Sequence, residues 1–304
     1  MAEEKIICTM FGLANAFPYS PFAVLLGTVD LAFLFFGLHF LVSEILRIRR
    51  AEKFPAGTLE PWRAGKGEIL CFAGAFLFIL LVCPIFGFRI AGAVFPEIDL
   101  ARNPVYAVGF YQPIALIFLL GLCIFQKPLS IAKAWNASGA KSMLSRISLF
   151  SRGNVWQFFG LLFLSVFVAG LLSQCVPLLF PSLKEAWAQN QILIDNLQSL
   201  EHPWILWIVI PTLVVFTPIV EEILFRAGIY RLLRNKMPGV PAAILTGFCF
   251  AILHDSLAGI FPLAVLSCVL CYAYEYTGKL AVPVILHGLF NLNTVLMIYT
   301  GIGA

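Results

Sequence analysis

The 304-residue chain is divided by uncharged or nearly uncharged runs at about 21–46, 68–88, 104–126, 154–181, 203–233, 240–256, 258–277 and 280–301. A helix of ~20 residues, rising ~1.5 Å per residue, crosses the ~30 Å hydrocarbon layer of a bilayer. Water cannot satisfy backbone N–H and C=O groups in that layer, so only helices and closed barrels span it. The runs do not alternate polar and apolar residues, which argues against a barrel. The composition is 61% hydrophobic and 12% charged, against roughly 45–50% and about 25% in soluble domains. A water-soluble fold and a disordered chain are both excluded. The sequence therefore predicts an all-α, polytopic membrane bundle of about eight transmembrane helices, the sixth short enough to end within the membrane.

Lys and Arg set the orientation. Arg47, Arg49, Arg50, Lys53, Arg63 and Lys66 follow helix 1, and Lys127, Lys133, Lys141, Arg146 and Arg152 follow helix 3. Arg226, Arg231, Arg234 and Lys236 close helix 5, and Lys279 follows helix 7. The positive-inside rule places these connections in the cytoplasm and both termini outside. Residues 6–18 are expected to form a surface helix or a partial span, and 183–202 an exposed outer loop. MAEEKIICTMF at the start has no basic leader and is not read as a signal peptide. The cysteines lie mostly inside apolar runs and are expected to pack rather than bridge. The expected partners are a lipid bilayer and a membrane-associated protein or peptide, with no nucleic acid.

Helix 5 carries three charges that should not face lipid. Glu221, Glu222 and Arg226 sit in WILWIVIPTLVVFTPIVEEILFRAGIYRLL, where each costs roughly 2.5–3.5 kcal/mol near a helix centre on insertion scales. They must point into the bundle or a wet cavity. Glu222 and Arg226 share a helix face in the favourable order; Glu221 is rotated by about 100° from that pair. The simplest division makes Glu222–Arg226 a structural pair and Glu221 the working carboxylate. Pro218, one turn earlier, removes a backbone hydrogen bond and can open the helix beside it.

Two histidines also interrupt apolar helices, His254 in helix 6 and His287 in helix 8, and His287 shares a face with Asn291. Counting from the basic ends, Glu221 and His254 lie ~20 Å deep, His287 ~10 Å and Asn291 ~16 Å. All four fall in one inner-to-middle layer. A carboxylate with an imidazole can deprotonate a water; an imidazole N–H with an amide N–H can hold an oxyanion. With no Ser or Cys nucleophile in the set, the pattern points to one-step attack of water on an amide. The competing chemistry is zinc held by Glu221, His254 and His287 with an open fourth position. No HExxH is present, and glutamate-activated water without a cofactor is preferred.

EEILFR at 221–226 is similar to an EExxxR box, FAILH at 250–254 to an FxxxH box, and HGLFN at 287–291 to an HxxxN box. In this order and spacing they resemble the CPBP family of CAAX proteases and bacteriocin-processing enzymes, whose type member is the type II CAAX prenyl endopeptidase. The resemblance covers roughly 203–294. It divides one integrated membrane domain into helices 1–4 (1–202) and a CPBP-like core of helices 5–8 (203–304). It implies an intramembrane endopeptidase in which Glu221 and His254 activate water, while His287 and Asn291 form the oxyanion site. Glu222 and Arg226 complete the first box. The family is labelled both metalloprotease and glutamic protease, and its bacterial members do not imply a prenylated substrate. The expected setting is a bacterial or archaeal plasma membrane, with the site reached from the cytoplasm. The alternative is a non-enzymatic transporter or bacteriocin-immunity factor that uses the polar cluster for binding.

Four other features are read as outside the site. Asp30 and His39 of helix 1 fall on roughly opposite faces and are expected to pack or line a polar surface. Cys268 and Cys271 have CxxC spacing without a redox-fold context. Asp255 adjoins His254 but diverges from it on a helix. Asn136-Ala137-Ser138 is a sequon in an expected cytoplasmic loop.

Overall fold

The computed structural model describes residues 21–49, 59, 62–101, 103–125, 154–187, 203–254 and 256–300. Among these residues there are eight principal helices and no strand. They are α1 Pro21–Arg49, α2 Lys66–Val94, α3 Val105–Phe125 and α4 Asn154–Ser173, followed by α5 Leu206–Arg234, α6 Gly239–Ile252, α7 Ile260–Thr277 and α8 Ala281–Thr300. Seven are long and apolar enough to cross a membrane. The exception is α6, whose 14 residues rise only ~21 Å, so the expected short sixth helix is present. The protein is an integral membrane protein of polytopic helical type.

The helix ends follow from local chemistry. At the start of α2 the Glu68 carboxylate accepts the Gly65 N–H at 2.8 Å, covering one of the unpaired donors of the first turn. At the end of α7, Gly278 adopts φ 65° and donates its N–H to the Tyr274 carbonyl. That left-handed turn suits glycine and reverses the chain into α8 within a few residues.

Most of the exposed apolar side chains, such as Leu70, Leu81, Ile117 and Leu172, lie on helix faces that a bilayer would cover. Inside, the helices approach through small residues, as expected where packing rather than hydrophobicity drives association. A Cβ on Gly160 of α4 would lie 2.7 Å from the Gly37 nitrogen of α1, so these two backbones touch directly. The main core gathers Phe72, Phe158, Phe225, Phe250, Leu270 and Tyr274 around α5 and α7. A second cluster around Phe95, Tyr106 and Val209 closes the other end of the bundle. Asp30 is buried on α1 and its carboxyl meets the Asn293 side chain of α8, whereas His39 is exposed.

Within α5, π-helical turns at Thr212–Phe216 and Ile223–Tyr230 bracket the α-helical stretch Thr217–Glu222. Proline explains the first. Pro218 has no N–H to return to the carbonyl of Val214 in an α-turn or of Leu213 in a π-turn, while the Thr217 N–H bonds the Thr212 carbonyl in the wider pattern. The loose carbonyl edge is covered by α8: Asn291 donates to the Leu213 carbonyl at 2.8 Å. Gly288 passes so close that an added Cβ would lie 2.5 Å from the Val214 oxygen. This close approach carries the polar face of α8 against the two glutamates.

Part of the expected outer loop, Lys184–Trp187, is a short helix whose indole packs near Phe261. Residues 6–18, the basic connection 126–153, Asn136 and Asp255 lie outside the described residues. The cysteines Cys71, Cys83, Cys175, Cys249, Cys268 and Cys271 form no disulfide.

Candidate active site

Two adjacent carboxylates on α5 have opposite surroundings. Glu222 and Arg226 expose none of their side-chain surface and are joined at 2.8 Å. The same Glu222 oxygen, Oε1, also meets His287 Nδ1 of α8 at 2.8 Å. Arg226 reaches on to α7, donating from Nη2 to Ser267 Oγ at 3.0 Å and to the Ser267 carbonyl at 3.3 Å. Its guanidinium lies 5.1 Å from the centre of the Phe250 ring of α6. Charges this deep persist only when paired and hydrogen-bonded, and here the Glu222–Arg226 pair joins α5 to α8 through the carboxylate and to α7 and α6 through the guanidinium.

Glu221 is different. Its side chain is 18% exposed, and its Oε2 has no hydrogen-bond partner. It stands 3.7 Å from His287 Nε2, longer than a hydrogen bond. The separation by helix phase expected from the sequence is therefore present: Glu222 takes Arg226, and Glu221 is left outside that pair.

The partner atoms set the imidazole tautomers. Glu222 is ion-paired and can only accept, so His287 Nδ1 carries the proton it donates. Nε2, facing Glu221, is then a lone pair in the neutral ring and a donor only in the imidazolium. His254 lies not within α6, as expected from the sequence, but in the turn just past its end; its Nδ1 donates to the Phe250 carbonyl at 2.8 Å, which leaves its Nε2 as an acceptor in the neutral ring. Phe250 also holds both imidazoles against its ring, His254 at 4.4 Å and His287 at 5.9 Å and nearly perpendicular.

The structure thus brings Glu221, Glu222, Arg226 and His287 into one polar cluster and joins His254 to it across Phe250. The imidazole at ion-pair distance from Glu221 is His287, not His254. Asn291 shares the inward face of α8 with His287, but one of its amide hydrogens is committed to the Leu213 carbonyl, leaving one for any ligand. Two things escaped the sequence reading: the Glu222–His287 bond and the role of Phe250. The Phe at i−4 to a histidine in an apolar helix was the available signal for the second.

Zinc would need Glu221, His254 and His287 to converge. Among the described residues no group of three or more His, Cys, Asp or Glu is arranged to hold a metal ion, while both histidines engage Nδ1 and leave Nε2 open.

Residues 203–293 match the family model described as type II CAAX prenyl endopeptidase Rce1-like, the segment that holds every residue of the cluster. The last third of the chain is thus similar to that CAAX-protease family, in agreement with the CPBP resemblance of its three boxes. No curated protein and no solved structure matches the chain.

Proposed function

We propose that the protein is a metal-independent intramembrane endopeptidase that hydrolyses a peptide bond of a membrane-associated protein or peptide. Glu221 accepts a proton from a water as its oxygen attacks the carbonyl carbon, with His254 Nε2 orienting that water. The oxyanion of the tetrahedral adduct receives the remaining Asn291 N–H and the Nε2–H of His287 in its imidazolium form. The proton held by Glu221 passes to the departing amide nitrogen, giving one carboxylate-ended and one amine-ended product. Access is from the cytoplasmic side of a bacterial or archaeal plasma membrane.

The observation that carries this reading is the inequality of two neighbouring glutamates. Glu222 is fully buried with its Oε1 bonded to both Arg226 and His287, whereas the Glu221 side chain is 18% exposed and reaches only ion-pair distance from His287. A structural charge has no need of a second, unpaired carboxylate beside it, and such a group is unfavourable in an apolar bundle.

The test compares membrane proteomes of cells carrying the wild-type protein or Glu221→Gln, reading for a C-terminus or leader shortened only in the former. Loss of that processing by at least about 100-fold is expected, with unchanged expression and melting temperature. A well-folded Glu221→Gln protein that still processes the same peptides would end the assignment.

A further inference from the structure

The helix facing Glu221 from outside the family match carries polar atoms that the proposed hydrolysis does not use. Gln112 lies on the inward stripe Val108, Gln112, Ala115 and Leu119 of α3, and the glutamine is only 7% exposed. Its Oε1 is buried without a partner, while its side chain is hydrogen-bonded to that of Tyr111, whose hydroxyl lies within the electrostatic reach of Glu221. Opposite, α3 packs against the α5 stretch Thr217–Glu222. Thr217, one turn before Glu221 and on its face, is 9% exposed, and its hydroxyl also has no partner.

Elsewhere in this bundle such hydroxyls are satisfied locally. Thr212, Thr246, Ser165 and Thr294 each donate to the carbonyl one turn earlier. Thr217 does not, and its equivalent acceptor, the Leu213 carbonyl, is held by Asn291. Two nearly buried polar groups, one an acceptor and one a donor, are thus left unspoken for on the two helices that flank the working carboxylate. Both are followed by proline, Pro113 and Pro218, which frees backbone carbonyls in the same layer.

We propose that Gln112 and Thr217 form a subsite for the main chain of the substrate peptide beside Glu221, resting on the endopeptidase reading above. Gln112 Oε1 accepts a peptide N–H, and the Thr217 hydroxyl donates to a peptide carbonyl. The peptide is thereby held extended between α3 and α5 with its scissile carbonyl at Glu221. The recognised chemistry is the amide backbone rather than any side chain, which suits an enzyme acting on a strand unwound from the membrane.

The test uses full-length protein in lipid nanodiscs carrying Glu221→Gln, so that the probe is not consumed. The probes are a fluorescent farnesylated peptide ending in a CAAX sequence, and the same peptide N-methylated at each amide near the scissile bond in turn. One methylation is expected to weaken binding by about ten-fold, the value of one hydrogen bond. Gln112→Leu in the same background removes that difference, and Gln112→Glu, which keeps an acceptor, retains it. Thr217→Val weakens the parent peptide without altering the methylation effect. Thr217→Val should melt at or above the parent, because it deletes an unpartnered polar atom from an apolar interior; Gln112→Leu also gives up the bond to Tyr111 and should melt close to the parent. A methylation effect that survives Gln112→Leu overturns the subsite and leaves the endopeptidase reading standing. A Gln112→Leu protein that melts well below the parent makes Gln112 a structural residue and also overturns the subsite. A parent that binds none of the peptides overturns the subsite, while the endopeptidase reading is judged separately by the Glu221→Gln proteome comparison.

Discussion

Glu222 and His287 are 65 residues apart in the chain and 2.8 Å apart in the fold. Because Arg226 binds the same carboxylate oxygen, that oxygen fixes the orientation of an imidazole on one helix and a guanidinium on another. Removing it should do more than delete a contact. Glu222→Ala leaves a buried guanidinium without its counter-charge, and breaking such a pair costs about 3–5 kcal/mol. Thermal unfolding of the purified protein in detergent should show a large fall in melting temperature. Glu222→Gln, which still accepts one hydrogen bond, should fall by less.

Phe250 sits beneath both imidazoles. Phe250→Leu keeps most of the volume, and a swap of this kind usually costs less than about 1.5 kcal/mol. It nevertheless removes the flat surface that orients His254 and His287. Processing activity should therefore drop further than stability, measured side by side as product formation and melting temperature.

Asn291 and Pro218 should be energetically coupled. Asn291→Ala leaves the buried Leu213 carbonyl without a donor, at a cost of about 1–3 kcal/mol. Pro218→Ala restores a backbone N–H to that stretch. In a double-mutant cycle read by thermal unfolding, the loss from Asn291→Ala should be smaller when residue 218 is alanine. Strict additivity would show that the proline is not what exposes the carbonyl.

Gly288 leaves no room for a methyl group beside the Val214 carbonyl. Gly288→Ala should push α8 away from α5, with a stability loss of about 1–3 kcal/mol and a loss of activity as His287 and Asn291 retreat. Gly121, whose added Cβ meets nothing within 4 Å, should accept alanine without either effect.

Metal independence is tested on purified protein. Cleavage should continue in a strong chelator, and zinc should be present well below one equivalent. Stoichiometric zinc whose removal stops turnover would replace the glutamate-water scheme.

Much of this arrangement is legible in the sequence because bilayers impose simple rules. The apolar runs give the helices to within a few residues, and the short run before His254 gives the short α6. The Glu222–Arg226 pair follows from its spacing, since residues four apart share a helix face. Contacts between helices are another matter. Nothing local says whether Glu221 or Glu222 takes the distant His287, because that depends on how α8 is rotated. Nor does a proline announce where the carbonyl it frees will be covered. The Asn291 bond to Leu213 required the packing of α8 on α5, and Gln112 stood in a helix with no recognisable box.

The two π-helical turns on α5 have an effect on register. Each residue of an α-helix advances the side chains by about 100°, and a wider turn holds an additional residue for the same length of axis. The stretch between Thr217 and Glu222 is thus dialled out of step with the rest of the rod on both sides. Shortening Thr212–Phe216 by one residue would swing both carboxylates around the cylinder, away from their present facing on α8, while the letters of the three boxes stayed unaltered.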